Sequence, residues 1–93
     1  EDYGMEEIIL KIGKNTNHVW AAKSITENVA KDVKVSVDAI GLEANYIAVK
    51  TFIQAKEDFS SKGINVSFSP AYVVLITTNG SKTAVRWDVI ITR

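Results

Sequence analysis

The order of apolar and polar residues in the first half of the chain predicts two strand–helix units. The apolar run at residues 8–12 ends at Gly13 and predicts a first strand. From His18 to about Lys31, apolar residues recur at three- and four-residue spacing, which is the repeat of an amphipathic helix. The predicted buried face of this helix consists of Val19, Ala22, Ile25 and Val29, with Ala21 and Ala30 at its borders. Three polar residues could cap the start of the helix: Asn15, Thr16 or Asn17.

The second unit has the clearest pattern in the chain. Residues 33–40 alternate between apolar and polar side chains and predict a buried strand, and Gly41 then breaks the alternation. A helical repeat follows, and its predicted buried face consists of Ala44, Ile47, Ala48, Thr51, Phe52, Ala55 and Phe59. Gly63 stands where a glycine usually ends a helix, directly after Lys62.

The last third of the chain predicts two long strands joined by a tight turn. Alternation from Ile64 begins a strand, and Pro70 is expected to interrupt it with a kink, because proline fits only an edge strand or a bulge. The strand resumes over residues 72–77. Asn79-Gly80 is a strong hairpin signal, and the return strand is expected over residues 82–92.

The predicted element order is therefore β-α-β-α-β-β, an α/β fold. Two strand–helix–strand units require right-handed crossovers. We expect a mixed four-stranded sheet with both helices packed on one face, and a final hairpin that extends beyond them as an arm. The length of 93 residues suits one domain with a modest core. Residues 1–7, which are rich in acidic side chains, are expected to form a flexible N-terminal segment ahead of a domain at residues 8–93.

Composition narrows the class of protein. Eleven Lys and Arg residues balance eleven Asp and Glu residues, so a basic surface can arise only from the distribution of the charges. The absence of cysteine excludes disulfides and thiolate metal sites, and it fits a reducing cytoplasm. No apolar run approaches the roughly 18 residues of a membrane span, and no signal-peptide pattern opens the chain. We therefore expect a cytoplasmic protein that does not enter membranes.

The sequence offers little for catalysis. The single histidine, His18, has no carboxylate partner placed by the sequence, and we expect it at a partly exposed surface position. The serines lie in no nucleophile motif, and no glycine-rich phosphate loop occurs. A metal site would need more His, Cys or clustered acidic residues. We expect neither an enzyme nor a cofactor, a bound metal or a small-molecule substrate.

The sequence offers more for the binding of phosphates. Lys11 and Lys14 flank the first strand-to-helix loop, and Gly41 occupies the second such turn. Both turns should lie at one end of the sheet, where two helix N-termini would favour an anion. Lys82 and Arg86 add positive charge along the arm. Two alternatives remain open: the lysines are ordinary solvated charges, and Gly41 serves only a tight turn.

Short stretches along the whole chain form a further pattern: Leu10–Ile12, Asn17–Val19, Ala39–Gly41, Ala44, Ala48–Lys50, Ala55-Lys56, Gly63-Ile64, Pro70–Tyr72, Asn79-Gly80 and Thr83–Val85. Through these residues the chain resembles the stage V sporulation protein S family, within the Alba-like superfamily. Ile12-Gly13-Lys14 also looks like the Ile-Gly-Lys-Lys loop of Alba, the archaeal chromatin protein.

The resemblance implies an Alba-like two-layer sandwich that binds DNA or RNA as a dimer. In Alba the loop lysines, the second turn and the hairpin arms contact nucleic acid. Lys14 corresponds to the first loop lysine, whereas Asn15 replaces the second, and Leu42 replaces the basic residue after the turn glycine. Both departures remove positive charge from the expected face. For the sporulation family, the resemblance implies a regulatory role in development.

Two hypotheses follow from the sequence. The first is a non-enzymatic, sequence-tolerant nucleic-acid-binding protein that acts as a homodimer or a higher oligomer. Its phosphate contacts would come from Lys11, Lys14, Asn15, Asn17, Gly41, Lys82 and Arg86. The alternative is a regulatory protein-interaction module that has lost nucleic-acid binding, with Leu42 and Tyr46 as exposed contacts.

Overall fold

Six elements follow one another in the predicted order β-α-β-α-β-β. The computed structural model describes residues 6–92. Its elements are β1 (Glu7–Ile12), α1 (His18–Ala30), β2 (Lys34–Ala39), α2 (Leu42–Ser60), β3 (Asn65–Thr77) and β4 (Gly80–Thr92). Most of the expected flexible segment, residues 1–7, lies outside the described residues, and Glu7 already belongs to β1. Neither helix in residues 6–92 is both long and apolar enough to cross a membrane.

The four strands form one mixed sheet in the order β1-β2-β4-β3. β1 and β2 are parallel, and β4 runs antiparallel to both of its neighbours. The expected mixed sheet is confirmed. β2 occupies an interior position, and five of its six residues are buried. This explains why the sequence of β2 predicts a buried strand.

Side chains of both helices and of the sheet form one hydrophobic core. α1 contributes Ile25 and Val29, α2 contributes Phe52, and β2 contributes Val35 and Val37. The predicted buried face of α2 is confirmed, although Ile47 is only partly buried. Phe52 also stacks on Phe68 of β3 with 4.4 Å between ring centroids. The helices therefore pack on the sheet face that carries Phe68.

The predicted buried face of α1 is wrong at Val19, and its two predicted border residues differ in exposure. Val19 is exposed, as is Ala30, whereas Ala21 is buried with the rest of the face. Successive residues of a helix are about 100° apart. Val19 and Ala30 consequently lie on one side of α1, roughly a third of a turn away from the centre of the buried face. Three- and four-residue spacing alone therefore does not show on which side of α1 the buried face ends.

Asn17 is the residue that caps α1. Its side-chain oxygen accepts hydrogen bonds from the backbone N–H groups of Val19 and Trp20, each at 3.0 Å. Thr16 instead accepts a hydrogen bond from the N–H of Gly13 at 2.9 Å, which closes the loop before the helix. Two side chains thus fix the β1–α1 loop against the first turn of α1.

The expected interruption at Pro70 is wrong. β3 continues through Pro70 and pairs with β4 in a single register, with Pro70 opposite Trp87. β3 lies at an edge of the sheet, and this position explains the tolerance: the outer side of an edge strand has no neighbour that needs a donor from residue 70.

The β3–β4 hairpin extends past the rest of the sheet. β4 pairs with β2 only from Val85 to Asp88. Residues 72–84 of the hairpin therefore extend beyond β2, and we call them the arm. Its turn consists of Thr78 and Asn79, closed by the pair of Thr77 with Gly80. The hairpin predicted from Asn79-Gly80 is confirmed. Gly80 directly follows the turn and has a positive φ of +102°, as the residue after a type I hairpin turn requires.

Candidate nucleic-acid interface

An open cleft lies at the carboxyl ends of the parallel strands β1 and β2. We call it the strand-end cleft, and its volume is ≈ 540 Å³. Its walls are the β1–α1 loop with Lys14, the β2–α2 turn with Gly41, and the end of β3 near Leu75. The two turns therefore share one end of the sheet, as parallel strands require, and the arm borders them.

The charges around the strand-end cleft are mixed. Lys11 and Lys14 line it, and both residues are exposed. Two acidic residues, Asp38 and Glu43, also line it. The basic character of the cleft consequently depends on whether the acids are neutralised by other partners.

Asp38 is neutralised by Arg86 across the β2–β4 pair. Arg86 donates two hydrogen bonds to the Asp38 carboxylate, from Nε at 2.8 Å and from a terminal nitrogen at 2.9 Å. Asp38 is only 4% exposed, so the cleft presents little of its charge. The hydrogen bond to Asp38 is the main cause that raises the pKa of Arg86 above its ordinary value. The negative charges of Asp38 and Asp88 also raise this pKa, whereas burial lowers it. Arg86 therefore offsets the charge of Asp38, and the two lysines of the lining, Lys11 and Lys14, outnumber its other acidic residue, Glu43.

Gly41 allows α2 to begin at the cleft without a side-chain cap. Its backbone has φ 86° and ψ 169°, a conformation that is essentially restricted to glycine. The first helical hydrogen bond of α2 runs from the N–H of Asn45 to the carbonyl of Gly41. The N–H groups of the first turn have no partner within the helix, and no side chain caps them. Such a turn favours an anion.

We expect Gly41→Ala to destabilise the protein by about 1–3 kcal/mol, the typical energy of a strained backbone conformation. No heavy atom lies within 4 Å of a Cβ built on Gly41, so steric crowding adds nothing. Urea denaturation checks this expectation, with Gly13→Ala as the control, since Gly13 has no positive φ. Equal stability of Gly41→Ala and the parent protein would contradict it.

Asn45 connects the β2–α2 turn to β4 through side-chain hydrogen bonds. Its amide nitrogen donates to the carbonyls of Ala39 at 3.2 Å and Gly41 at 2.9 Å. Its amide oxygen accepts a hydrogen bond from Nε1 of Trp87 at 3.0 Å. The Trp87 ring in turn lies 5.1 Å from the ring of Phe52 in the core. One side chain therefore joins the turn, the central sheet and the core.

The sequence did not reveal two of these roles. The only signal for Asp38 is an acidic residue in a strand that is predicted to be buried, and its partner is 48 residues away. Asn45 gives no local signal, because an asparagine in the first turn of a helix is common and its contact to Trp87 spans 42 residues.

The structure brings some of the predicted site residues together and separates others. Lys11, Lys14 and Gly41 line the strand-end cleft. Asn15 is exposed in the adjoining loop, and the side-chain oxygen of Asn17 is occupied as a helix cap. The remaining two predicted residues, Lys82 and Arg86, lie on β4.

The two residues on β4 differ in what they can reach. Lys82 is exposed on the arm and pairs in register with Leu75, which lines the cleft, so both side chains lie on the same face of the hairpin. Arg86 has two of its nitrogen donors occupied by Asp38. Within residues 6–92, no group of three or more His, Cys, Asp or Glu side chains could hold a metal ion.

A second surface is apolar and exposed. Four residues of α2 recur at helical spacing on its outer side, and we call them the α2 stripe: Leu42, Tyr46, Val49 and Ile53. The arm adds three more exposed side chains: Tyr72, Val74 and Ile76. These three alternate in phase with Phe68, which packs on α2, so they lie on the side of the sheet that the helices cover. Leu42 and Tyr72 line one groove, so the two apolar sets are continuous.

Comparisons with known proteins agree on the architecture. Alba from Thermoplasma volcanium has a similar structure, with a TM-score of 0.59 and 14% sequence identity over 92% of this chain and 100% of that one. At that identity the likeness shows the fold, and it confirms the expected Alba-like sandwich. None of the curated proteins compared with the chain matches it significantly.

The family comparison covers nearly the whole chain. The profile described as "Stage V sporulation protein S (SpoVS)" matches residues 8–92. The match includes every element from the second residue of β1 to the end of β4. The chain therefore belongs to the stage V sporulation protein S family and has an Alba-like fold.

Proposed function

We propose that this protein binds DNA or RNA through the strand-end cleft, without strict sequence preference and without enzymatic activity. The observation that carries the proposal is the convergence of Lys11, Lys14 and the uncapped start of α2 on one open cleft beside the arm. Ammonium groups and helix N–H groups are both ligands for phosphate. Such contacts position the nucleic-acid backbone and read no base sequence.

The charge balance sets the expected strength of binding. The chain as a whole has a formal net charge of zero, so long-range attraction to nucleic acid is weak. Asn15 and Leu42 supply no charge in the loop and at the turn. Binding then depends on a few local contacts, and we expect micromolar affinity that falls steeply as salt rises.

The proposed binding unit is a homodimer formed through the α2 stripe and the arm. Leu42 is 88% exposed and Ile76 is 84% exposed, which is unfavourable for side chains of this size in water. The α2 stripe combines one aromatic side chain with three aliphatic ones on a single face of the helix. Such a face can pack against the same face of a second copy about a twofold axis. A dimer would present two strand-end clefts and two arms to one nucleic acid, which raises affinity by avidity.

The family supports a role connected with sporulation. We infer that the protein acts in the cytoplasm, in association with the nucleoid if DNA is its target, and requires no cofactor, membrane or small-molecule substrate. Regulation of development by binding to nucleic acid is consistent with family membership and with the cleft. Higher oligomers of the dimer would extend the same surface along the nucleic acid.

Fluorescence anisotropy with labelled duplex DNA and single-stranded RNA tests the proposal. We expect saturable binding at low salt and a linear fall of log K with log salt, with a slope of about −0.9 per phosphate contacted on a duplex. No binding to either probe at low salt would overturn the proposal.

The α2 stripe favours a second candidate function, which is a regulatory protein-interaction module. In that case the apolar surface around Leu42 and Tyr46 would contact a different protein, and the strand-end cleft would have no ligand. The two functions predict different results. A protein that is monomeric in sedimentation equilibrium and binds no nucleic acid would favour the interaction module.

A further inference from the structure

Trp20 is a large aromatic side chain that the fold leaves in solvent. It is the third residue of α1, is 66% exposed, and does not belong to the core or to the side chains packed against it. The other tryptophan, Trp87, is only partly exposed and is held by Asn45. Exposure of a tryptophan ring in water costs free energy. Within residues 6–92 the ring of Trp20 takes part in no hydrogen bond, aromatic pair or cation–π contact.

The position of Trp20 places it beside the proposed phosphate-binding loop. Its backbone N–H is bonded to the Asn17 side chain, which caps the helix. Thr16, the residue before the cap, is bonded to Gly13. Trp20 is therefore within one helical turn, about 5 Å along the axis, of the loop that carries Lys14.

The surroundings of Trp20 are polar and include a basic group. A shallow depression of ≈ 190 Å³ is lined by Trp20, Lys23, Ser24 and Glu27. Ion pairs within residues 6–92 join Lys34 to Glu7 and Arg86 to Asp38, so Lys23 has no acidic partner within 4.0 Å. Glu27 lies a full turn farther from the loop than Lys23 does. An aromatic face next to a basic side chain is the combination that binds an unpaired base and its phosphate.

We propose that Trp20 is a stacking platform for an unpaired base and that the preferred ligand of this protein is single-stranded nucleic acid. The inference rests on the proposed function, because Lys14 and the strand-end cleft hold the backbone while Trp20 takes a base. A base within a duplex is stacked on its neighbours and offers no free face to Trp20. Every base has a π-face, so the platform adds affinity without adding sequence preference.

Equilibrium titrations of the full chain test this assignment. The probes are fluorescein-labelled oligouridylate RNA, oligothymidylate DNA and a mixed-sequence DNA duplex. The single strands are about 15 nucleotides long, which is within the range of lengths that single-strand-binding sites cover. The variants are Trp20→Ala, Trp20→Phe and Lys14→Glu. The matched control is Val19→Ala, which shortens an exposed apolar side chain in the same turn. Circular dichroism verifies that each variant is folded.

We expect Trp20→Ala to weaken single-strand binding by about fivefold to 150-fold, which corresponds to about 1–3 kcal/mol per stacked base. Trp20→Phe should retain most of the affinity, Val19→Ala all of it, and duplex binding should change less than about twofold in each variant. Saturation with a single-stranded probe should also quench part of the intrinsic tryptophan fluorescence of the parent protein. This quenching should be absent in Trp20→Phe, which lacks the ring of Trp20. The two single-stranded probes distinguish RNA from DNA as the better ligand.

Three results would overturn the assignment of Trp20. Unchanged single-strand binding by Trp20→Ala, together with loss of binding on Lys14→Glu, would leave the proposed function standing and remove the platform. Equal losses on duplex and single strands would show that Trp20 does not select unpaired bases. Absence of binding by the parent protein to all probes would remove the proposed function and the platform together.

Discussion

Reversing the charges of Lys14 and Lys82 together should weaken nucleic-acid binding by at least about 30-fold near physiological salt. Lys14 lines the strand-end cleft, and Lys82 lies on the arm beside the cleft wall. Each phosphate contact contributes about 0.9 to the slope of log K against log salt, which near 0.15 M amounts to roughly a fivefold gain in affinity. Two lost contacts therefore account for about 30-fold, and repulsion by the introduced carboxylates adds to it.

The salt dependence makes this test specific. The slope should fall by about two in the variant Lys14→Glu with Lys82→Glu. The matched control is Lys31→Glu with Lys62→Glu, which makes the same change in net charge at the ends of α1 and α2 farthest from the strand-end cleft. We expect the control to retain the parent slope. Equal effects of the two double variants would mean that net charge alone governs binding and that the cleft is not the site.

Truncating Tyr46 should convert the proposed dimer into a monomer at micromolar concentrations. Tyr46 is 63% exposed at the centre of the α2 stripe, and Lys50 lies 5.6 Å from its ring centroid. Aromatic side chains at the centre of an interface typically contribute about 2 kcal/mol or more. A twofold axis places Tyr46 in the interface twice, so Tyr46→Ala should weaken dimerisation by about 4 kcal/mol, roughly 1,000-fold in the dimer Kd.

Sedimentation equilibrium over a range of concentrations measures this change. Trp20→Ala is the matched control, because it removes an equally exposed aromatic side chain from α1 rather than α2. We expect the control to remain dimeric. A parent protein that is monomeric throughout would contradict the proposed dimer, and an unchanged dimer in Tyr46→Ala would place the interface elsewhere.

The two tests bear on different parts of the proposed function. Loss of binding in the lysine variant with an intact dimer would show that the strand-end cleft binds nucleic acid independently of assembly. Tyr46→Ala leaves the cleft residues in place, so any loss of affinity in that variant measures the avidity of two clefts on one nucleic acid.

The sequence by itself determined the element order, most of both helix faces and the hairpin. These features depend on residues close together in the chain. Helical spacing predicted Ala48, Phe52 and Ala55 on one face of α2, and all three are buried. The Asn79-Gly80 signal predicted the hairpin because the conformation of a tight turn depends on only a few residues. The glycine break at residue 41 likewise predicted the boundary between β2 and α2.

The tertiary structure alone decided the sheet order and the polar contacts that shape the site. β4 lies between β2 and β3, and this pairing joins Arg86 to Asp38 and Trp87 to Asn45. These contacts link residues more than 40 positions apart, and no local repeat encodes which distant partner a polar group will meet. The exposure of Val19 has a related cause, because the sheet covers only a narrow side of α1. Periodicity fixes which residues share a helix side, whereas packing against the rest of the fold fixes which side is buried.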